Sequence, residues 1–202
     1  MDNAIRKRTE ATPRAVAQRG YTRSSLTVDS SAAGHPKPVE ANTDIHQRLC
    51  ELLDREGVTY RVVEHQAEGR TQYIARIRGN RPDQAIKSIV VQVRLGRKEN
   101  RYCLANVPGD CRIDLEAIQA HFEAAGIGMA RRERAEELTG CVIGAIPPFS
   151  FNDRLAVLAD PRIEDNAEVV FNAGRLDRSI FMKSRDYMRI ARPEILRIGI
   201  RT

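Results

Sequence analysis

Hydrophobic positions recur at helical or strand spacing along residues 44–202, whereas residues 1–42 show no apolar periodicity. Asp44 is a good helix N-cap, the apolar residues from Ile45 to Leu53 follow at helical spacing, and Gly57 ends the pattern, so a first helix is predicted there. Residues 58–63 are rich in β-branched side chains and predict the first strand.

The same reading predicts four further helical segments and five further strands. The helices are expected at residues 71–77, 115–122, 131–138 and 186–190, and the strands at 86–95, 102–107, 155–159, 169–172 and 179–182. Helices and strands interleave, but the hairpin connections are too short for parallel crossovers. The predicted class is therefore α+β, with a mixed, largely antiparallel sheet flanked by helices.

Residues 1–42 are predicted to be a disordered basic tail, followed by one domain at residues 43–202. The tail is rich in Ser, Thr, Ala, Arg and Pro and holds seven Lys or Arg against four Asp or Glu, which is half of the net charge of +6. An organelle transit peptide and a basic arm that contacts RNA are the alternatives, although Asp2 and Glu10 disfavour the first.

Composition narrows the function classes. With 42% hydrophobic and 30% charged residues, the 202-residue chain is typical of a globular protein, and no apolar run approaches the roughly 20 residues of a membrane helix. The four cysteines form no C-x-x-C pair and have no nearby histidine pair, which predicts no metal site and a reducing, cytoplasmic setting. A pI near 9.4 suits an anionic partner.

The segment from Gly140 to Phe151 has the character of a shaped backbone loop. Gly144 lets the backbone approach a ligand, while Pro147 and Pro148 restrict the conformations that remain. Such a loop can present backbone N–H groups to a carbonyl oxygen, although a tight turn between strands explains the same residues.

Lys87 is the strongest candidate for a functional side chain. Its neighbours Ile86, Ile89 and Val90 are apolar, so its ammonium is expected at the rim of a pocket, where it could hold a phosphate or steer an ester by charge. The plainer explanation is a lysine at a strand start that reaches out to solvent.

Several short blocks in a fixed order, from about Ile45 to Pro193, resemble the YbaK-like aminoacyl-tRNA deacylases. These are relatives of the editing domain inserted in bacterial prolyl-tRNA synthetases, and the YeaK-type stand-alone branch is the most similar. The blocks are residues 60–65, Arg78-Gly-Asn80, Gln84-Ala-Ile-Lys-Ser88, Leu104-Ala-Asn-Val-Pro-Gly-Asp110, Leu138-Thr-Gly-Cys141, Pro147-Pro-Phe-Ser-Phe151 and Phe171-Asn-Ala-Gly-Arg-Leu-Asp177. The resemblance implies the editing-domain fold, with a partly barrel-like sheet.

The resemblance also implies the site residues. The catalytic set is Lys87, Gly144 and Pro148, and the substrate-binding set is His65, Thr71, Ser88, Ile146, Pro147, Asn172, Gly174 and Arg175. No cofactor and no metal are implied. Local explanations stay open for three of these residues: a structural role for His65, a helix cap for Thr71, and a surface pair with Asp177 for Arg175.

The function implied by the resemblance is hydrolysis of the ester of mischarged tRNA at its acceptor end. The Gly-x-x-x-Pro backbone would polarise the carbonyl, and the vicinal ribose hydroxyl would assist the attacking water. The partner is aminoacyl-tRNA, and an aminoacyl-tRNA synthetase remains open as a second one. A non-catalytic tRNA-binding or regulatory protein is the alternative, whereas a small-molecule esterase is disfavoured because no nucleophile–base pair is evident.

Overall fold

The computed structural model describes residues 44–97 and 99–202, and the predicted tail at residues 1–42 lies outside them. The described residues form five α-helices. These are α1 (Ile45–Arg55), α2 (Thr71–Arg78), α3 (Leu115–His121), α4 (Arg132–Thr139) and α5 (Ser184–Ala191). Asp44 caps α1 as predicted, because its carboxylate accepts a hydrogen bond from the N–H of His46 at 3.1 Å.

Ten β-strands accompany the helices in the described residues. They are β1 (Tyr60–Glu64), β2 (Ile86–Arg94), β3 (Asn100–Pro108), β4 (Cys111–Ile113), β5 (Gly126–Met129), β6 (Leu155–Ala159), β7 (Glu168–Asn172), β8 (Arg178–Lys183), β9 (Glu194–Ile195) and β10 (Gly199–Arg201). The six predicted strands correspond to β1, β2, β3, β6, β7 and β8. Two 3₁₀ turns, Pro82–Gln84 and Pro161–Asp165, complete the described secondary structure.

The strands pair in three sheets. The largest has the order β5-β2-β3-β6-β9, with antiparallel β5-β2-β3 and parallel β3-β6-β9. The second, β1-β8-β7, is antiparallel, and β4 pairs with β10. A parallel bridge between Ala85 and Val170 joins the two larger sheets beside the start of β2. The predicted α+β class with a mixed, largely antiparallel sheet is confirmed.

Four short strands, β4, β5, β9 and β10, were absent from the sequence-based prediction. β9 and β10 have only two and three residues, so they show no alternation of their own. β5 contains Gly126 and Gly128 and is a strand because it pairs with β2. Long-range pairing, rather than local propensity, makes these segments extended.

The glycine–proline loop is anchored in the largest hydrophobic cluster. Phe149 is buried and contacts Phe171 and Tyr187 edge to face, with ring centroids 5.7 and 5.4 Å apart. Leu49 and Leu53 from α1 belong to the same cluster. The core therefore fixes the end of the loop that follows Pro147 and Pro148.

The four cysteines, which all lie in the described residues, form no disulfide; Cys103, Cys111 and Cys141 are buried and Cys50 is half-buried. Burial raises the pKa of the Cys103 and Cys141 thiols to about 12. None of the helices in the described residues is long and apolar enough to cross a bilayer.

Candidate active site

A cleft lies where α2, the start of β2, the glycine–proline loop and the end of β7 meet. It encloses about 400 Å³ of atom-free space that opens to solvent. Its lining residues are Gly69, Thr71, Ile74, Arg78, Ala85, Ile86, Lys87, Ser88, Gly144, Ile146 and Asn172. Six of the eleven predicted site residues are therefore brought together in one place, although they are widely separated in sequence.

Arg78 is a lining residue that the predicted site lacked. Thr71, Ile74 and Arg78 are spaced i, i+3, i+7, so they share the face of α2 that is turned to the cleft. This spacing was visible in the sequence and would have pointed to Arg78 once Thr71 was a candidate.

Lys87 is half-buried at the start of β2. Its Nζ donates a hydrogen bond to the carbonyl oxygen of Cys111, which leaves two of its three N–H donors for a ligand. Burial lowers the pKa of the Lys87 ammonium, and the nearby Cys111 and Asp110 side chains oppose that shift. Lys87 therefore lies in the wall of the cleft with its head group tethered.

Ser88 follows Lys87 and faces Asn106 across the β2–β3 ladder. Its Oγ is buried and has no hydrogen-bond partner among the described residues. A buried hydroxyl without a partner costs about 1–3 kcal/mol. Ser88 lines the cleft, and its buried hydroxyl is a donor and acceptor that no described residue uses.

Backbone N–H groups in the glycine–proline loop differ in their availability. The N–H of Ile143 donates to Glu136 Oε1 at 3.2 Å, and that of Ala145 donates to the Val142 carbonyl at 3.0 Å. The N–H groups of Gly144 and Ile146 make no hydrogen bond to any described residue. Because both residues line the cleft, these two groups are candidate donors to a carbonyl oxygen.

Asn172 holds two walls of the cleft together. Its Nδ2 donates to the carbonyl oxygens of Gly144 at 2.8 Å and Glu68 at 3.1 Å. Its Oδ1 accepts from Ser179 Oγ at 3.0 Å. Asn172 at the end of β7 therefore positions the loop against the segment that precedes α2.

Arg78 and His65 extend this network behind Asn172. The Arg78 guanidinium donates to Ser179 Oγ at 3.1 Å and to Asn172 Oδ1 at 3.4 Å, and burial lowers its pKa to about 10. His65 Nε2 lies 2.7 Å from the same Ser179 Oγ. The predicted residue His65 is therefore placed behind the cleft lining, where it supports Ser179 and through it Asn172.

The other predicted residues lie around the cleft rather than in its lining. Pro147 and Pro148 are buried and shape the loop. Gly174, at a φ of 80°, donates its N–H to the Ala145 carbonyl at 2.9 Å and so braces the loop. Arg175 is exposed and makes ion pairs of 3.0 Å with Asp177 and 3.5 Å with Asp44.

The charge of the cleft suits an anionic or oxygen-rich ligand. Its lining includes the cations of Lys87 and Arg78 and contains no carboxylate. Within residues 44–97 and 99–202, no group of three His, Cys, Asp or Glu side chains is arranged to hold a metal ion. The cleft is equipped to bind phosphate or to stabilise a developing oxyanion.

Comparison with known protein families agrees with this geometry. Residues 66–190 match the family described as the aminoacyl-tRNA editing domain. The chain is 43% identical over 152 residues to the multifunctional Ser/Thr-tRNA deacylase ProXp-y of Escherichia coli strain K12, a match that covers 75% of this chain and 90% of that protein. A 92-residue stretch is 24% identical to a proline–tRNA ligase of Streptomyces coelicolor, covering 46% of this chain and 15% of the ligase.

Solved structures share the fold. A crystal structure described as a proposed trans-editing enzyme for prolyl-tRNA synthetase superposes with a TM-score of 0.66 at 23% identity, covering 79% of this chain and 99% of that one. A crystal structure of a hypothetical protein gives a TM-score of 0.69 at 18% identity over 76% of this chain and 99% of that one. At these identities the structural likeness concerns the fold.

Proposed function

The chain belongs to the aminoacyl-tRNA editing domain family, and from this premise we propose that it hydrolyses the ester of mischarged aminoacyl-tRNA after the tRNA has left its synthetase. Water adds to the ester carbonyl carbon, and the bond between that carbon and the ribose oxygen then breaks. The products are the free amino acid and a tRNA with both terminal ribose hydroxyls restored.

The pair of unbonded N–H groups at Gly144 and Ile146 is the observation that carries this proposal. Negative charge develops on the carbonyl oxygen as water adds, and fixed backbone donors stabilise it without rearranging. One such donor is typically worth about 3 kcal/mol of barrier. The hydrogen bonds from Asn172 and Gly174 to the loop supply the rigidity that this role requires.

Lys87 and Ser88 complete the proposed catalytic arrangement. The Lys87 ammonium has two N–H donors left after its bond to Cys111, so it can hold the phosphate of the terminal nucleotide or the ester by charge. The unpartnered Ser88 Oγ supplies a further hydrogen bond to the acyl end or to the ribose.

Activation of the water is assigned to the substrate. The lining contains no His, Asp or Glu that could serve as a general base. The ester is already activated, and the vicinal ribose hydroxyl lies next to the reacting carbonyl in any bound pose. A substrate-assisted reaction needs only orientation and oxyanion stabilisation from the protein.

We propose small amino acids as the acyl group, with serine and threonine first, as in the name of the Escherichia coli relative. The polar lining residues Thr71 and Ser88 can hydrogen-bond a side-chain hydroxyl, whereas the Asn172 amide is already saturated by its protein partners. Such a second site complements a synthetase, because the hydrophobic pocket of a synthetase distinguishes two amino acids that differ by one methylene group by only about 1–3 kcal/mol. We keep the cytoplasm, where tRNA is charged and used, as the proposed location.

A deacylation screen tests this function. The protein would be incubated with tRNA charged separately with Ser, Thr, Ala, Pro and other small amino acids, beside Lys87→Ala and the exposed control Lys183→Ala. We expect multiple turnover on a subset of these esters, lost in Lys87→Ala and retained in Lys183→Ala. Salt-sensitive tRNA binding without turnover would instead favour a non-catalytic binding protein.

A further inference from the structure

An apolar groove adjoins the catalytic cleft. It contains about 690 Å³ of atom-free space, part of it open to solvent, compared with about 400 Å³ measured in the same way in the cleft. Ser88, Gly144 and Ile146 line both, so these three residues form the boundary between the groove and the cleft. A ligand bound at the Gly144 N–H can therefore extend into both.

The groove has an apolar lining with two exposed side chains at its rim. Ile89 and Val90 of β2 and Ala135 of α4 belong to its lining. Met129 and Ile143, which also line it, are 64% and 43% exposed, which are high values for large apolar side chains. Exposed apolar surface around a concavity marks a binding site more often than scattered exposed residues do.

We propose that this groove binds the purine ring of the terminal nucleotide of the acceptor end, an assignment that rests on the deacylase function proposed above. With the ester carbonyl at the Gly144 N–H, the acyl group enters the polar cleft. The ribose then directs its base across the boundary into the groove. The flexible thioether of Met129 can lie against one face of the ring, since sulfur packs well on aromatic surfaces.

The opposite arrangement fits the side chains less well. The cleft is closed at the back by the polar network of Asn172, Ser179 and Arg78, which suits a small polar acyl group. The groove offers apolar walls for the faces of a ring, and its one charged lining side chain is the basic Arg132, which suits the phosphate that precedes the terminal nucleotide.

The first test compares two substrates and three variants. The substrates are seryl-tRNA and the same tRNA with an abasic terminal ribose that carries the seryl ester. We expect Met129→Ala to raise KM for seryl-tRNA by about two- to tenfold, the scale of one lost sulfur–ring contact, and Met129→Leu to raise it less. The exposed apolar residue Ile195, on the distant strand β9, provides the control Ile195→Ala with unchanged KM.

The abasic substrate separates base binding from other effects. We expect it to have a raised KM with the wild-type protein and to be insensitive to Met129→Ala. Equal effects of Met129→Ala on both substrates, or no effect on either, would overturn the assignment. A change of oligomeric state in Met129→Ala, measured by light scattering, would identify the groove as a protein interface and would overturn it as well.

A second test reads the groove without any turnover. The protein would be labelled at the methionine methyl groups and titrated with 3′-seryl-amino-3′-deoxyadenosine, in which an amide replaces the ester. We expect ring-current shifts at Met129 and none at Met182, which is buried elsewhere in the core. Met129 shifts without ester hydrolysis would contradict only the deacylase function, whereas hydrolysis without Met129 shifts would contradict the groove assignment.

Discussion

Gly69 and Gly144 lie backbone against backbone across the cleft. A Cβ on Gly144 would stand 2.8 Å from the Gly69 Cα, and a Cβ on Gly69 would stand 3.2 Å from the Gly144 Cα. Gly144 also has a φ of 91°, a backbone conformation that residues with a side chain rarely adopt. The contact brings the segment before α2 and the glycine–proline loop together, so both glycines are required by the shape of the cleft.

Gly144→Ala is expected to destabilise the fold by about 1–3 kcal/mol, because the strained φ and the clash with a neighbouring backbone act together. It should also lower kcat, because the Gly144 N–H moves. Gly57→Ala is the matched control, since Gly57 has a φ of 66° but open space where a Cβ would stand. Urea unfolding and single-turnover deacylation measure the two effects.

The comparison between these variants isolates the contact. Gly57→Ala should lower the free energy of unfolding by about 1 kcal/mol, the cost of a left-handed backbone for a residue with a side chain, and should leave the activity unchanged. Equal losses of stability and unchanged kcat in Gly144→Ala would show that the contact with Gly69 is unimportant.

Local sequence signals predicted much of this arrangement. The N-cap Asp44, the run from Ile86 through Lys87 and the Gly144 loop are all readable from neighbouring residues, and the structure places Lys87, Ser88 and Gly144 in one cleft. Family resemblance added Asn172, whose local context suggests only the end of a strand.

Contacts between distant segments could not be predicted in this way. Asn172 reaches Gly144 across 28 positions, and Arg78 reaches Ser179 across 101. The guanidinium of Arg175 is a further example, because it pairs with Asp44 just before α1, and the residues around Arg175 in the sequence do not predict this partner. Side-chain partners in a mixed sheet are decided by topology, which the periodicity of single elements does not encode.

Asn172→Ala is expected to lower kcat more than it raises KM. Removal of Nδ2 breaks the hydrogen bonds to the carbonyls of Gly144 and Glu68, so the loop is no longer held in place. Its N–H groups are then no longer oriented towards the substrate carbonyl oxygen. The unpaired groups should reduce stability by about 1–3 kcal/mol. Steady-state deacylation kinetics and urea unfolding provide the measurements.

Ser179→Ala gives the comparison for this variant, since it removes the bond to Asn172 Oδ1 but leaves both Nδ2 donors in place. Its kcat should fall less than that of Asn172→Ala. The reverse order would mean that the Arg78–Ser179 side of the network, rather than the grip on Gly144, governs turnover.

Arg175→Ala is expected to change kcat/KM less than twofold. The guanidinium is engaged by Asp177 and Asp44 on the surface, and exposed ion pairs contribute only about 0–1 kcal/mol. The measurement is kcat/KM as a function of salt concentration. If the slope of log kcat/KM against log salt concentration were smaller by about 1 in the variant, one phosphate contact would have been lost. That result would instead support the predicted role of Arg175 in substrate binding.

Stability should fall in acid because of two carboxylates that pair with arginines, Glu68 and Asp177. Hydrogen bonds from the side chain and backbone of Arg70 lower the pKa of Glu68 to about 2, and Arg175 lowers that of Asp177 to about 2. A carboxyl with a depressed pKa in the folded state takes up its proton first in the unfolded chain. Its contribution is therefore complete above about pH 4.5 and is lost as the pH falls towards 2.

Glu68→Gln tests this linkage directly. The free energy of unfolding in urea, measured at pH steps from 6 to 3, should decline less steeply below pH 4.5 in Glu68→Gln than in the wild type, because the variant lacks the titrating group. Glu164→Gln is the control, since Glu164 is exposed and makes no ion pair among the described residues. Identical slopes in the wild type and Glu68→Gln would show that the Arg70–Glu68 pair, 2.8 Å apart at the edge of the cleft, persists too briefly in solution to support the segment that carries Gly69.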